Sequence, residues 1–186
     1  YNALDVFYRE IWGENVHHGL WLTGRETSGQ AVLNLVELMA QRLGLMPGER
    51  VCDIGCGYGA TSRVLADRHG CAVSGVTVSA AQLAWAQQNY PGTNPDLRVM
   101  DWLANDFPDA SFDASLSIES SEHMIDLQRF FDEISRTLKP GGRFATYAWL
   151  AAEAPSAASV KYLLEPICRE GALPQLGSES EYRAMM

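Results

Sequence analysis

The stretch R-V-C-D-I-G-C-G-Y-G-A at residues 50–60 constrains the fold of this chain more than any other. An apolar run ends in Asp53 and leads into glycines at alternate positions, Gly55, Gly57 and Gly59, and a helical pattern follows at once. A strand, a glycine turn and a helix in that order are typical of the first crossover of a nucleotide-binding α/β sheet. The spacing differs from the G-x-G-x-x-G of dinucleotide-binding proteins. Because Asp53 would repel an anion, we expect a ligand that carries an amino group.

The turn D-I-G-C-G-Y-G resembles motif I of the class I S-adenosylmethionine-dependent methyltransferases. Their cofactor has a zwitterionic amino-acid end and a cationic sulfonium, both of which suit an acidic residue beside a glycine turn. The resemblance implies that Asp53, Gly55, Cys56, Gly57 and Gly59 hold the methionine part of S-adenosylmethionine. We expect the absent side chain at Gly55 to let the cofactor approach the backbone closely. A glycine turn that only connects a strand to a helix is the alternative.

Composition and charge limit the other classes of function. The chain has 186 residues, which suits one domain with a substantial core, and a net charge of -9, which argues against broad nucleic-acid binding. No apolar run approaches the ~20 residues of a membrane span. The four cysteines show neither a C-x-x-C pair nor the spacing of zinc ligands. We therefore expect reduced thiols, a cytoplasmic location and no metal.

Strand and helix patterns alternate along the chain. Strands are predicted at residues 51–54, 71–78, 97–100, 112–118 and 143–150. This alternation predicts an α/β fold with a doubly wound, mostly parallel, Rossmann-like sheet.

We expect an aromatic lid segment at residues 1–27, a cofactor-binding core at 28–150 and a helical insertion that covers the substrate site at 151–186. The sheet of the related family has seven strands, so we expect the C-terminal hairpin to be missing from this chain. An open edge beside the fifth strand would invite pairing with another copy, which makes a homo-oligomer a further expectation.

The segment after the second strand, G-V-T-V-S-A-A-Q, resembles the cyclopropane fatty acid synthases and their sterol and tocopherol methyltransferase relatives. The resemblance implies that Thr77, Val78 and Gln82 bind the nucleoside. After the third strand, Asp101 and Trp102 match the segment in which an acidic side chain meets the adenine amino group and an aromatic ring covers the base. A Trp102 that belongs only to the core is the alternative.

The cluster I-E-S-S-E-H-M at residues 118–124 follows the fourth strand, at the sheet edge where open α/β folds bind ligands. Two carboxylates and an imidazole crowded there are unfavourable unless they are paired or used. The cluster is similar to the E-x-x-E-H of tocopherol-type methyltransferases, which implies that Glu122 and His123 face the reaction centre and that Glu119 lines the cofactor pocket. His123 is the candidate base or acceptor-orienting group. A merely packed histidine is the alternative.

The N-terminal sequence F-Y-R-E-I-W-G-E-N-V-H-H-G-L-W resembles the W-G-x-x-[IV]-H-x-G with which tocopherol, sterol and glycine/sarcosine-type methyltransferases begin. There it folds over the cofactor, so we expect Tyr8, Trp12 and Trp21 to face the sulfonium, where a cation over an aromatic ring gains ~0.5–2 kcal/mol. His17 and His18 are adjacent and point opposite ways in an extended backbone. At most one is expected to enter the site, and His18 is the candidate. Packing of these aromatics on the first helix is the alternative.

The predicted function is transfer of a methyl group from S-adenosylmethionine to carbon, oxygen or nitrogen of a small, partly apolar acceptor of secondary metabolism. Methyl transfer from a sulfonium is an in-line displacement, to which positioning alone can contribute up to ~7–11 kcal/mol. A general base is needed only where the acceptor loses a proton. The alternatives are lipid modification of the cyclopropane-synthase type and a non-catalytic protein that binds S-adenosylmethionine.

Overall fold

A parallel sheet forms the centre of the fold in the computed structural model, which describes residues 12–186. The strands of this part are β1 (Arg50–Ile54), β2 (Ala72–Thr77), β3 (Asp96–Val99), β4 (Phe112–Ile118) and β5 (Leu138–Tyr147). Every pairing between them is parallel, and their order is β3-β2-β1-β4-β5. The predicted α/β fold with a mostly parallel sheet is thereby confirmed. The strand order reverses between β1 and β4, which is the topological switch point of such a sheet.

Helices cover both faces of the sheet. They are α1 (Ser28–Leu43), α2 (Ala60–His69), α3 (Ala80–Asn89), α4 (Leu127–Thr137), α5 (Ala157–Ser159), α6 (Glu165–Gly171) and α7 (Glu179–Met185). Side-chain caps explain where several of them begin. Thr27 and Gln30 form a capping box at α1, and the side chains of Ser79 and Asp126 accept backbone N–H groups at α3 and α4.

The core lies in two layers, one on each face of the sheet. On one face, Leu35 of α1 and Leu65 of α2 pack with Leu116 of β4. On the other face, Phe130 of α4 packs with Ile54 of β1. Burial on both faces explains why β4 reads F-D-A-S-L-S-I, a nearly continuous run of small and apolar residues.

The fifth strand differs from its prediction at residues 143–150. Leu138 already pairs with Phe112, and the ladder resumes at Arg143 opposite Ala114, with an irregularity between them. Pro140 lacks an N–H and the next residue is a glycine at φ +77°, so the backbone departs from the ladder there.

Beyond β5 the described chain is mostly helical. The helix predicted around Val160 to Cys168 is present, because α5, a π-helical segment (Val160–Leu164) and α6 run on without a break. Within residues 12–186, no helix has the length and apolar character needed to span a bilayer.

Candidate functional site

A cavity of about 530 Å³ opens at the carboxyl edge of the sheet, where the ends of β1 and β4 diverge. Its volume lies in the range of small-molecule sites. Its walls come from the turn after β1, the loops after β2, β3 and β4, the N-terminal segment and the helical region after β5. Most of the residues that we predicted for the site line this cavity: Trp12, His18, Asp53, Gly55, Cys56, Gly57, Thr77, Val78, Gln82, Asp101, Trp102, Glu119, Glu122 and His123.

Two of the predicted residues that the structure describes do not line the cavity. Gly59 caps the start of α2 at φ +81°, and a Cβ there would lie 2.4 Å from Cδ1 of Leu97, so this glycine serves packing. Trp21 is half exposed and lies outside the cavity wall. Tyr8 lies outside the described residues.

Asp53 is the buried acid of the cavity. Only 2% of it is exposed, and Ser62 donates a hydrogen bond of 2.6 Å to its Oδ2 atom. Burial raises the pKa of Asp53 to about 6. Within residues 12–186 no Lys, Arg or His forms an ion pair with it. An ammonium group in the cavity would supply the missing countercharge, which fits the amino-acid end of S-adenosylmethionine.

The glycines of the turn have different roles. A Cβ at Gly55, where φ is +80°, would lie 2.3 Å from Cβ of Ser120, whose hydroxyl donates a 2.6 Å hydrogen bond to the carbonyl of Ile54. The space that a side chain at Gly55 would need is therefore taken by the chain itself, and the approach of a cofactor to the backbone of Gly55 stays a prediction. Gly57, at φ +55°, has only Gln82 Nε2 at 4.0 Å from its virtual Cβ. The cavity meets the open backbone of the turn at Gly57.

Thr77 and Gln82 form a buried pair at the end of β2. The Thr77 hydroxyl donates a 2.8 Å hydrogen bond to Gln82 Oε1 and accepts one of 3.2 Å from the backbone of Ser79. The hydroxyl is thus committed within the chain, and it orients the amide of Gln82 so that Nε2 lies on the side of the glycine turn. Nucleoside binding by Thr77, Val78 and Gln82 stays a prediction, for which Gln82 Nε2 is the donor that lies nearest the glycine turn.

The loop after β3 combines an exposed acid with a buried ring. Asp101 is exposed and its side chain accepts the N–H of Leu103 at 3.0 Å. Trp102 is 1% exposed and donates from Nε1 to the carbonyl of Phe130 at 3.2 Å. The indole therefore belongs to the core, the alternative stated above, and its contact with adenine stays a prediction.

His18 joins the N-terminal segment to the end of β4. Its Nδ1 lies 3.0 Å from Oε2 of Glu119, and its backbone N–H donates to Oε1 at 3.1 Å. Glu119 has φ +46°, a conformation that is sterically unfavourable for a residue with a side chain. The imidazole packs edge-on between Trp12 and Trp149, with ring centroids 5.1 Å and 5.0 Å away. These contacts hold aromatic rings beside a carboxylate at the cavity mouth.

His17 is a cavity residue that sequence reasoning missed. Its Nδ1 lies 2.8 Å from the carbonyl of His18, so Nδ1 carries the proton, and Nε2 lies 3.4 Å from the hydroxyl of Thr61. Burial lowers the pKa of His17 and favours the neutral ring. The two histidines do bond to different partners, yet both line the cavity, so the expectation that at most one would enter was wrong.

Glu122 and His123 stand on the opposite wall. Glu122 is 5% exposed, and its Oε1 accepts the backbone N–H of Trp149 at 2.5 Å. Burial raises the pKa of Glu122, whereas burial lowers the pKa of the half-buried His123. His123 is therefore neutral at pH 7 and able to accept a proton.

The remaining wall on this side is apolar. It is formed by Met124, Ile125, Trp149, Ile167 and Leu173. Apart from Met124, no motif marks these residues in the sequence, because they come together only through the packing of the helical region after β5 on the end of β4. The part of the cavity at β1 and β2, with Asp53 and Gln82, is its polar half. The other half, at β4 and α6, combines these apolar side chains with Glu119, Glu122 and His123.

Comparisons with known proteins agree with this geometry. A family model described as a methyltransferase domain matches residues 52–146, half of the chain. The chain is 34% identical over 160 residues to the 27-O-demethylrifamycin SV methyltransferase of Amycolatopsis mediterranei, covering 84% of this chain and 59% of that protein. It is 32% identical over 205 residues to the chloroplastic tocopherol O-methyltransferase of Arabidopsis thaliana, covering 98% of this chain and 58% of that protein.

A solved structure is similar over most of the described fold. It is the geranyl diphosphate C-methyltransferase from Streptomyces coelicolor, in complex with Mg²⁺, geranyl diphosphate and S-adenosyl-L-homocysteine. The TM-score is 0.78 at 26% identity, and the match covers 91% of this chain and 71% of that one. The chain spans somewhat more than half the length of the two curated relatives. With its glycine turn, its switch-point cavity and these matches, the chain belongs to the methyltransferase domain family, as a class I S-adenosylmethionine-dependent methyltransferase.

Proposed function

We propose that this chain binds S-adenosylmethionine in the polar half of the cavity and directs its methyl group to a small, partly apolar acceptor in the other half. One observation carries the proposal. A single cavity joins the buried Asp53, which has no ion-pair partner within residues 12–186, to a chamber lined by apolar side chains and His123.

The polar half fits the cofactor in three ways. Asp53 offers a buried negative charge to an ammonium group. Gly57 leaves the backbone open to a ligand, and the Nε2 group of Gln82 faces the same space as a donor for a hydroxyl or a carboxylate. When bound there, the cofactor would supply a methyl group that is already activated by a cationic sulfonium.

The work left to the protein is then mostly positioning. Trp12 and Trp149 flank the mouth of the cavity. Their aromatic rings and the carboxylate of Glu119 form an environment that favours a positive charge. The apolar wall around Ile167 orders an apolar acceptor and excludes water, which strengthens electrostatic interactions inside. His123, neutral at pH 7, accepts the proton of an acceptor that must lose one.

The class of acceptor follows from the cavity and from the relatives. Relatives are named for transfer to rifamycin, tocopherol and geranyl diphosphate, all of which combine a large apolar part with a polar group. The apolar half of this cavity supports a similar acceptor here. Cytoplasmic location, a role in secondary metabolism and self-association remain predictions of the sequence.

Calorimetry tests the cofactor directly. We expect the chain to bind S-adenosylmethionine and S-adenosylhomocysteine, and NAD much more weakly. Gly57→Ala should lower the affinity for S-adenosylmethionine and S-adenosylhomocysteine at least about tenfold, because its Cβ enters the cavity, where it has only Gln82 Nε2 at 4.0 Å. Gly44→Ala is the matched control, since Gly44 has φ +58° and an equally open surrounding but lies outside the cavity.

Equal losses of cofactor affinity in Gly57→Ala and Gly44→Ala would show that backbone strain, and not a clash in the cavity, weakens binding. Tighter binding of NAD would overturn the proposal. Turnover is then sought with isotopically labelled cofactor and a panel of phenolic, terpenoid and amine acceptors, with mass spectrometry of the products. A bound cofactor with no labelled product from any class would favour the non-catalytic alternative.

The N-terminal segment is expected to respond to the cofactor as a lid. Trp12 and the residues up to His18 reach the cavity, and Glu14 accepts a hydrogen bond of 2.5 Å from the Tyr90 hydroxyl. Leu20, by contrast, already donates to the carbonyl of Ala31 on α1 at 2.7 Å.

Hydrogen exchange should therefore slow on addition of S-adenosylhomocysteine in residues 12–18, with little change at residue 20. An unchanged exchange rate in residues 12–18, with binding confirmed by calorimetry, would identify a permanently packed arm instead.

A further inference from the structure

A chain of buried hydroxyl groups links the last helix to the acidic wall of the cavity. The Tyr182 hydroxyl of α7 lies 3.0 Å from Oγ of Ser121, and Ser121 Oγ donates to Oε2 of Glu122 at 3.2 Å. Ser121 is fully buried, and Tyr182 and Glu122 are 4% and 5% exposed. Buried polar groups of this kind are unfavourable unless each has a hydrogen-bond partner. The geometry of this series of hydrogen bonds is therefore strictly determined.

The direction of the hydrogen bonds follows from the number of protons. The hydroxyl of Ser121 has one hydrogen and gives it to Glu122, so the hydrogen between Ser121 and Tyr182 must come from Tyr182. Burial raises the pKa of Tyr182, which keeps its proton in place. Both hydroxyls therefore donate toward Glu122, and the backbone N–H of Trp149 donates to its other oxygen. Donors on both oxygens favour the ionised carboxylate.

The same carboxylate fixes the aromatic wall. The N–H that Glu122 accepts belongs to Trp149, and the indole of Trp149 packs against His18, which is bonded to Glu119. A continuous set of contacts thus runs from α7 through the loop after β4 to the N-terminal segment.

The ring of Tyr182 does not need its hydroxyl in order to be buried. It packs edge-on against Phe131 with centroids 5.6 Å apart, and α7 begins with a capping box formed by Ser178 and Glu181. Phenylalanine would preserve these contacts and remove only the donor. The hydroxyl of Tyr182 therefore contributes only to the series of hydrogen bonds that ends at Glu122.

We propose that Tyr182, acting through Ser121, is a positioning residue that holds Glu122 ionised and oriented, and thereby places Trp149 over the reaction centre. Tyr182 touches neither the cavity nor, on this proposal, any reactant. The use of the oriented wall in methyl transfer rests on the proposed function, whereas the effect of Tyr182 on Glu122 does not.

The test follows the titration of Glu122 itself, in protein labelled with ¹³C at glutamate carboxyl groups and assigned by the signal that Glu122→Asp removes. Ser121→Ala removes the direct donor and should raise the apparent pKa of Glu122 by about one unit. Tyr182→Phe should raise it by less, in the same direction. The other ionisable groups around Glu122, which are Glu119, His18 and His123, are retained in both variants. Tyr162→Phe is the matched control, because Tyr162 is exposed and outside the cavity.

Calorimetry with S-adenosylhomocysteine accompanies the titration, and we expect the affinity to change by less than about threefold in Tyr182→Phe. Once an acceptor is identified, kcat of Tyr182→Phe should fall about tenfold while its KM for the cofactor stays unchanged. The acidic limb of its pH profile of kcat should move to higher pH. An unaltered Glu122 titration in Tyr182→Phe, with or without a loss of thermal stability, would overturn the proposal. Failure of the wild-type chain to bind the cofactor would overturn the proposed function and leave the titration result standing.

Discussion

Replacing Asp53 with asparagine should stabilise the ligand-free protein and weaken its binding of S-adenosylmethionine by roughly a hundredfold. Both effects have one cause. Asp53 is buried without a cationic partner in the described part of the chain, and burial raises its pKa from 3.8 to about 6. The ionised form is thus unfavourable in the empty site and is favoured only when a positive charge enters it.

The sign of the pH dependence follows from this shift. Between about pH 4 and pH 6 the folded protein holds a proton on Asp53 that the unfolded chain has released, so the free energy of unfolding falls as pH rises. Above pH 6 the destabilisation is complete and amounts to about 3 kcal/mol. The variant should lack this decline, because asparagine does not titrate in this range. The hydroxyl of Ser62 can still donate to the amide oxygen in place of the carboxylate.

Thermal unfolding from pH 4 to pH 8 and calorimetry with the cofactor measure the two effects. Asp67→Asn is the control, since Asp67 pairs with Arg63 on the surface of α2 and should change stability by less than about 1 kcal/mol. A variant at Asp53 that is less stable than wild type at pH 8, or that binds the cofactor as tightly, would contradict this account of the site.

Replacing His123 with alanine should lower kcat by about 10²- to 10⁴-fold for an acceptor that loses a proton, as expected when a general base is removed. The affinity for the cofactor should change little, because the proposed function places His123, a residue of the cavity wall, on the acceptor side. Since burial lowers the pKa of His123, activity should rise with pH and reach half its maximum below the ordinary histidine value. Rates are measured with the acceptor that the panel identifies.

His69→Ala is the matched control, because His69 bonds to Glu37 and does not line the cavity. A loss of thermal stability in His123→Ala that is large enough to account for the lost activity would support the packed-histidine alternative. A fall in kcat without a change in the acidic limb of the pH profile would point to acceptor orientation and not to proton transfer.

The parts of the fold that could be predicted depend on local rules. The glycine turn, the cap at Ser79 and the apolar strand β4 each follow from a few neighbouring residues, and the structure confirms their positions. The parts that could not be predicted depend on long-range packing. Trp149 reaches the cavity, and Tyr182 reaches Ser121 behind its wall, only because the region after β5 folds back onto the loop after β4.

Trp102 shows a different limit of sequence reasoning. A ring that covers a ligand and a ring that fills the core both require an aromatic residue after β3, so the sequence is the same for either. The hydrogen bond from its indole to the carbonyl of Phe130, in the same core layer, distinguishes them. Gly55 has the same ambiguity, because a glycine is needed there whether a ligand or the loop after β4 approaches its backbone.

The contact between Gly55 and Ser120 also has a consequence for engineering the acceptor side. The hydroxyl of Ser120 bonds to the carbonyl of Ile54, and its Cβ occupies the space that a side chain at position 55 would need. The two loops are therefore interlocked at one small residue on each side, and neither can be enlarged alone. Around Ser120, the exposed Ile125 and the wall at Ile167 have no such restriction. A library of variants that redesigns the acceptor side can vary Ile125 and Ile167 freely. Ser120 should be kept, because it fixes the loop after β4 against the glycine turn.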